Sequence, residues 1–113
     1  MMEIRWAVKE DLPQINQLIT DHPESFVKAK TAADLNDKNK LLLVAVTKEK
    51  RIIGFAQADV QQSEERVDQR PSGKLIQHTL VTKEKTEEIQ KRFEEYLMLE
   101  AKKRKIKSFF VQF

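Results

Sequence analysis

At 113 residues the chain is the size of one domain, and 40% hydrophobic against 35% charged residues describes a globular, highly charged protein. The absence of cysteine excludes disulfides, thiolate metal sites and a cysteine nucleophile, and two histidines alone make a poor transition-metal site. A net charge of +3 is too small to argue for nucleic acid; no apolar run approaches the roughly 20 residues of a membrane span, and Met1-Met2-Glu3 opens no signal peptide, so the expected location is cytoplasmic.

Glu3 to Val8 alternates, with Ile4, Trp6 and Val8 on one face, and predicts a strand with one wet side. Asp11 is a candidate cap and Pro13 suits a first helical turn. The stripe Leu12, Ile15, Leu18 and Ile19 then predicts a helix that stops near Asp21-His22-Pro23. Val27, Ala29, Ala32, Ala33 and Leu35 suggest a second short helix, followed by a turn at 36–39. Leu41 to Val46 is a continuous apolar run, as expected of a strand covered on both faces. With Ile52 to Ala56 it predicts a hairpin. The connector lacks Asn-Gly or Asp-Gly, so its loop is longer than a two-residue turn.

Residues 61–73 (QQSEERVDQRPSG) contain one aliphatic side chain, Val67, and are expected to form a solvated, mobile loop. A strand is predicted over Leu75–Val81 and a long helix over Thr82–Lys105. Ile89, Phe93, Tyr96, Leu97 and Ala101 line that helix's buried face, with Met98 and Leu99 widening it. Ser108 to Phe113 reads as a closing strand. The order β-α-α-β-β-β-α-β describes a single α/β domain over 1–113, a mixed central sheet flanked by helices.

That order and several strings resemble the GNAT superfamily of acyl-CoA-dependent N-acyltransferases. Ile4-Arg5-x-Ala7 with Glu10-Asp11-Leu12-Pro13-x-Ile15-x-x-Leu18 is similar to the family's opening strand and helix. Leu42-x-Val44-Ala45 with Ile52-Ile53-Gly54-Phe55-Ala56 resembles its central hairpin. Ile89-x-x-x-Phe93, Glu100-Ala101-x-x-Arg104 and Ile106-Lys107 resemble its third helix and the entry to its fifth strand. The resemblance implies acetyl-CoA as cofactor, held where amides at a helix N-terminus meet the pyrophosphate in a loop of pattern Gln or Arg, two residues, Gly, one residue, Gly or Ala.

Aligned on that loop, this chain reads Lys85-Thr86-Glu87-Glu88-Ile89-Gln90. The basic first position is kept, but both small positions are lost, to Glu88 and Gln90. The cofactor-binding candidates are thus Lys85, Thr86, Glu88, Ile89 and Gln90. A carboxylate ~5 Å from a phosphate at an effective dielectric near 20 costs about 3 kcal/mol, roughly a hundredfold in affinity. The resemblance also implies a further helix and strands after the fifth strand, which this chain lacks, and a tyrosine acid. The only tyrosine, Tyr96, falls on the buried side of its helix. No catalytic residue is nominated.

The expected function is therefore a GNAT-like binding or regulatory module without acetyltransferase activity and without a cofactor. The alternative is an active acetyl-CoA-dependent N-acetyltransferase with an atypical phosphate loop. His78, on the strand where the family builds its acyl site, is either a base or a histidine hydrogen-bonded in a half-buried sheet. The run Lys102-Lys103-Arg104-Lys105 with Lys107 is a solvated helix end, which complements the dipole, more readily than an RNA site. Phe109, Phe110, Val111 and Phe113 cannot all hide on one strand face, so they are assigned to a homodimer interface through the C-terminal strand.

Overall fold

Leu41 to Val46 lie fully inside the protein, each at most 5% exposed, because both faces of their strand are covered. The computed structural model describes residues 2–62 and 73–113. Five strands form one sheet in chain order: β1 (Met2–Trp6), β2 (Lys40–Thr47), β3 (Ile52–Gln62), β4 (Gly73–Thr82) and β5 (Ser108–Val111). The first three pairings are antiparallel and β4–β5 is parallel, which requires a crossover; α3 (Thr86–Lys103) supplies it. The helices α1 (Leu12–Thr20) and α2 (Ala32–Asn36) cover the opposite face.

Two apolar layers follow from the strand period of two. Leu41, Leu43, Ala45, Ala56, Ala58 and Leu75 pack under Ile89, Phe93, Leu97 and Ala101 of α3. Leu42, Val44, Val46, Phe55 and Val81 pack under Ile15, Leu18 and Ile19 of α1. The α3 layer is close enough that a Cβ built on Gly54 meets Ile89 Cγ2 at 2.9 Å.

Several expectations are corrected. The first strand stops at Trp6; Val8 leaves the sheet and is 47% exposed. The Asp11 carboxylate points back, accepting the Val8 amide at 2.8 Å and two bonds from the Arg5 guanidinium at 2.8 and 3.0 Å, so it closes the strand-to-helix corner instead of capping α1. Burial pushes this carboxyl up, but the bonds from Arg5 and Val8 outweigh it and hold it below its ordinary value. Residues 26–31 are not helical. Asn16 fixes that segment to α1 by bonding both the amide and the carbonyl of Lys30, at 2.7 and 3.0 Å.

The hairpin loop spans residues 48–51, longer than a two-residue turn as expected, with Lys50 left-handed. β3 runs on to Gln62, and β4 begins at Gly73, so Gln61, Gln62 and Gly73 are strand residues rather than loop. The rest of the expected loop, 63–72, lies outside the described residues. α3 is shorter than the predicted span Thr82–Lys105, and Met98 and Leu99 face outward, 54% and 60% exposed. They fall on the side of α3 away from the sheet. β5 ends at Val111, so Phe113 lies beyond the strand. Among the described residues, no helix is long and apolar enough to cross a membrane.

Candidate functional site

The sheet divides where β4 and β5 part. Their register runs Lys74↔Ser108 to Gln77↔Val111, and the Gln112 amide adds a last bond to the Gln77 carbonyl at 2.8 Å. Beyond it, the outer edge of β4 from His78 to Thr82 pairs with no strand among the described residues. α3 starts at the head of this free edge. The chain turns into it through Lys85, whose left-handed φ of 55° substitutes for a glycine turn. Thr82 and Thr86 share a hydroxyl–hydroxyl bond of 2.7 Å across the turn.

The predicted loop residues do not converge on one ligand position. Lys85, Thr86 and Glu88 are exposed. Glu88 and Lys85 line a shallow groove with Met2, Lys48, Glu49 and Ile53, on the flank of α3 that faces the β2–β3 turn. Ile89 is fully buried and belongs to the core. Gln90 lies on the opposite flank and exchanges two hydrogen bonds of 2.8 Å with Gln77, which is itself 0% exposed. It also donates to Glu94 at 2.8 Å. This reciprocal amide pair ties α3 to β4 at the residue where the strands separate.

A second polar group lies on the α1–α2 face. Gln57 pairs with Thr79 while Ala58 pairs with Gln77, so His78 is the extra residue of a β-bulge in β4. The bulge puts His78 and Thr79 side by side. Thr79 Oγ1 is 2.8 Å from His78 Nδ1, and His78 Nε2 is 3.1 Å from Asp59 Oδ2. Gln57 Nε2 donates to Asp59 Oδ1 at 2.9 Å. Gln57 Oε1 is buried and has no hydrogen-bond partner among the described residues. Near Asp59 lie Lys30 and Lys40. Burial lowers the pKa of the Lys30 amine, and the Asp34 hydrogen bond raises that of Lys40. His78 is thus hydrogen-bonded as one reading expected, but Asp59, Thr79 and Gln57 were not nominated. Only the bulge aligns them, and no local signal in Gln57-Ala58 or Gln77-His78-Thr79 announces it.

The remaining candidates are structural or surface groups. Trp6 and Tyr96 meet edge to face at 6.3 Å, and burial raises the Tyr96 pKa. The basic end of α3 is exposed, with Arg104 bonded to Glu100 and to the Lys38 carbonyl. On β5, Phe109 packs against the α3 layer, whereas Phe110 is 43% and Val111 39% exposed, and Phe113, beyond the strand, is 70% exposed. The Lys74 amine sits 5.9 Å from the Phe110 ring centre. Among the described residues, no group of three or more carboxylates and histidines could hold a metal ion.

The sequence matches no family model and no curated protein. Solved structures do match. A GNAT family acetyltransferase from Staphylococcus aureus superposes with a TM-score of 0.77 at 13% identity, covering 99% of this chain and 86% of the other. An acetyltransferase from Vibrio fischeri gives 0.72 at 23% identity, covering 97% and 94%. A ribosomal-protein-alanine N-acetyltransferase from Brucella melitensis gives 0.75 at 15% identity, covering 98% and 79%. At these identities the likeness speaks to the fold, and with the strand order, the parallel β4–β5 pair and the crossover helix it establishes that this chain has a GNAT-like fold.

Proposed function

We propose that this protein is a binding or regulatory module built on the GNAT fold, with neither acetyl-CoA binding nor acetyltransferase activity. The observation that carries the reading is the Gln77–Gln90 amide pair. The position where the resemblance calls for a side-chain-free residue holds a glutamine bonded to a fully buried partner. A ligand that displaced Gln90 would take both bonds of the pair from the buried Gln77 amide, leaving it the 3.3 Å bond to the Thr79 carbonyl, a cost of about 1–3 kcal/mol, or roughly tenfold to a hundredfold in affinity. Glu87 and Glu88 complement the dipole at the start of α3, where a phosphate would otherwise do so.

Calorimetric titration with acetyl-CoA tests this reading. No binding is expected, and a dissociation constant in the low micromolar range would overturn it. Glu88→Gly with Gln90→Gly is expected to create binding. The alternative, an active acetyl-CoA-dependent N-acetyltransferase, is favoured by one feature: the open β4 edge ends at a helix N-terminus flanked by Lys83 and Lys85. The same titration, followed by a transfer assay, separates the two.

The partner in this reading is a second copy of the chain. β5 is an edge strand of the sheet, and an identical edge is complementary to it in an antiparallel two-fold pairing. Phe110, Val111 and Phe113 are exposed beside that edge, and burying one such side chain is worth about 1.5–3 kcal/mol.

A further inference from the structure

The geometry points to a nucleophilic hydroxyl on the α1–α2 face of the sheet: Thr79, activated by His78 and Asp59, accepts a small acyl group from an activated ester. The site lies where β4 and β5 part, with its side chains on the α1–α2 face, and does not depend on whether the cleft takes a cofactor. Two observations support it. The distances form a continuous relay, 2.8 Å from Thr79 Oγ1 to His78 Nδ1 and 3.1 Å from His78 Nε2 to Asp59 Oδ2. A hydroxyl, an imidazole and an orienting carboxylate in this order make an activated nucleophile on any fold. The relay is held, since Asp59 Oδ1 accepts from Gln57 and His78 sits in a bulge.

The tautomer follows from the contacts. A carboxylate cannot donate, so the neutral ring carries its proton on Nε2 toward Asp59. That leaves Nδ1 as the acceptor for the Thr79 hydroxyl.

The chemistry balances in two steps. Thr79 Oγ1 adds to the ester carbonyl while its proton passes to His78 Nδ1. The bond to the leaving alcohol breaks, the alcohol takes that proton, and Thr79 carries the acyl group. Water, giving a proton to His78, then adds to the acyl carbon. The carboxylic acid leaves as Thr79 Oγ1 recovers the proton from His78. Thr79 and His78 are the catalytic residues; Asp59 is a positioning residue acting through the ring. Thr79 is only 7% exposed, which limits the acyl group to a short one.

The test uses the full chain and p-nitrophenyl acetate, following release of the phenolate and locating the acetyl adduct by peptide mass spectrometry. Release above the buffer rate and an adduct on Thr79 are expected. Thr79→Val and His78→Gln are each expected to lower release about a hundredfold. Thr79→Ser, which keeps the hydroxyl, should retain release and carry the adduct on the new serine. For Asp59→Asn, nitrogen-15 spectra of the His78 ring should show loss of the single Nε2–H tautomer together with slower release. Adducts confined to lysines, with release unchanged in Thr79→Val, would overturn the proposal. So would release lost in His78→Gln but kept in Thr79→Val, which would make the imidazole itself the nucleophile.

Discussion

Replacing Gly54 by alanine tests how α3 is seated on the sheet. Gly54 lies on β3 without a positive φ, so its backbone accepts a side chain, and only the space above it decides the outcome. A Cβ there would stand 2.9 Å from Ile89 Cγ2 and 3.4 Å from Ala45 Cβ. The first contact is too short to persist. Ile89 is fully buried in the first turn of α3 and β-branched, so it has little freedom to rotate away, and the helix end must move instead. Overpacking of this kind costs about 1–3 kcal/mol. Against it, the lost backbone freedom of the unfolded chain stabilises by about 0.4–1 kcal/mol. The net expectation is a destabilisation of about 1–2 kcal/mol, read as a lower urea midpoint with an unchanged slope and a Tm lower by roughly 4–8 °C. The coupling identifies the contact: Ile89→Ala alone should cost about 2–5 kcal/mol, and Gly54→Ala should cost little or nothing in that background. A Gly54→Ala protein as stable as the parent, or equal losses in both backgrounds, would refute this account of the packing.

The Gln77–Gln90 pair predicts strong non-additivity. Gln90→Leu should cost about 1–3 kcal/mol by taking from the buried Gln77 amide both bonds of the pair, Gln77→Leu should cost less because Gln90 is part-buried and keeps its bond to Glu94, and the double change should cost clearly less than the sum; urea melts of the three variants check this. The depressed Asp11 carboxyl contributes stability that is fully present above its unfolded pKa and is lost as pH falls through its lower folded value. Asp11→Asn should therefore be less stable than the parent near neutrality, and the gap should close in acid melts. Phe110→Lys should convert the expected dimer to monomer or aggregate in light scattering, and a parent protein that is monomeric at high micromolar concentration would exclude the dimer. Met98→Lys and Leu99→Lys, on the outer side of α3, should change stability by no more than about 0.5 kcal/mol.

What the sequence determines by itself is what depends on neighbours along the chain. The run Leu41–Val46 is too short for a buried helix and fits a strand covered on both faces, and Ile89, Phe93, Leu97 and Ala101 recur at the helical period, so the core and the element order are legible directly. The limits of elements are less so. Met98 and Leu99 are apolar but fall off the buried stripe, and the polar ends of β3 and β4, Gln61, Gln62 and Gly73, are strand because they pair with each other across the sheet. The candidate sites are tertiary throughout. Gln90 meets Gln77 only because α3 returns over β4, and Thr79, His78 and Asp59 align only because one extra residue bulges β4 against β3. A bulge is a property of two paired strands, so neither strand's sequence carries it alone.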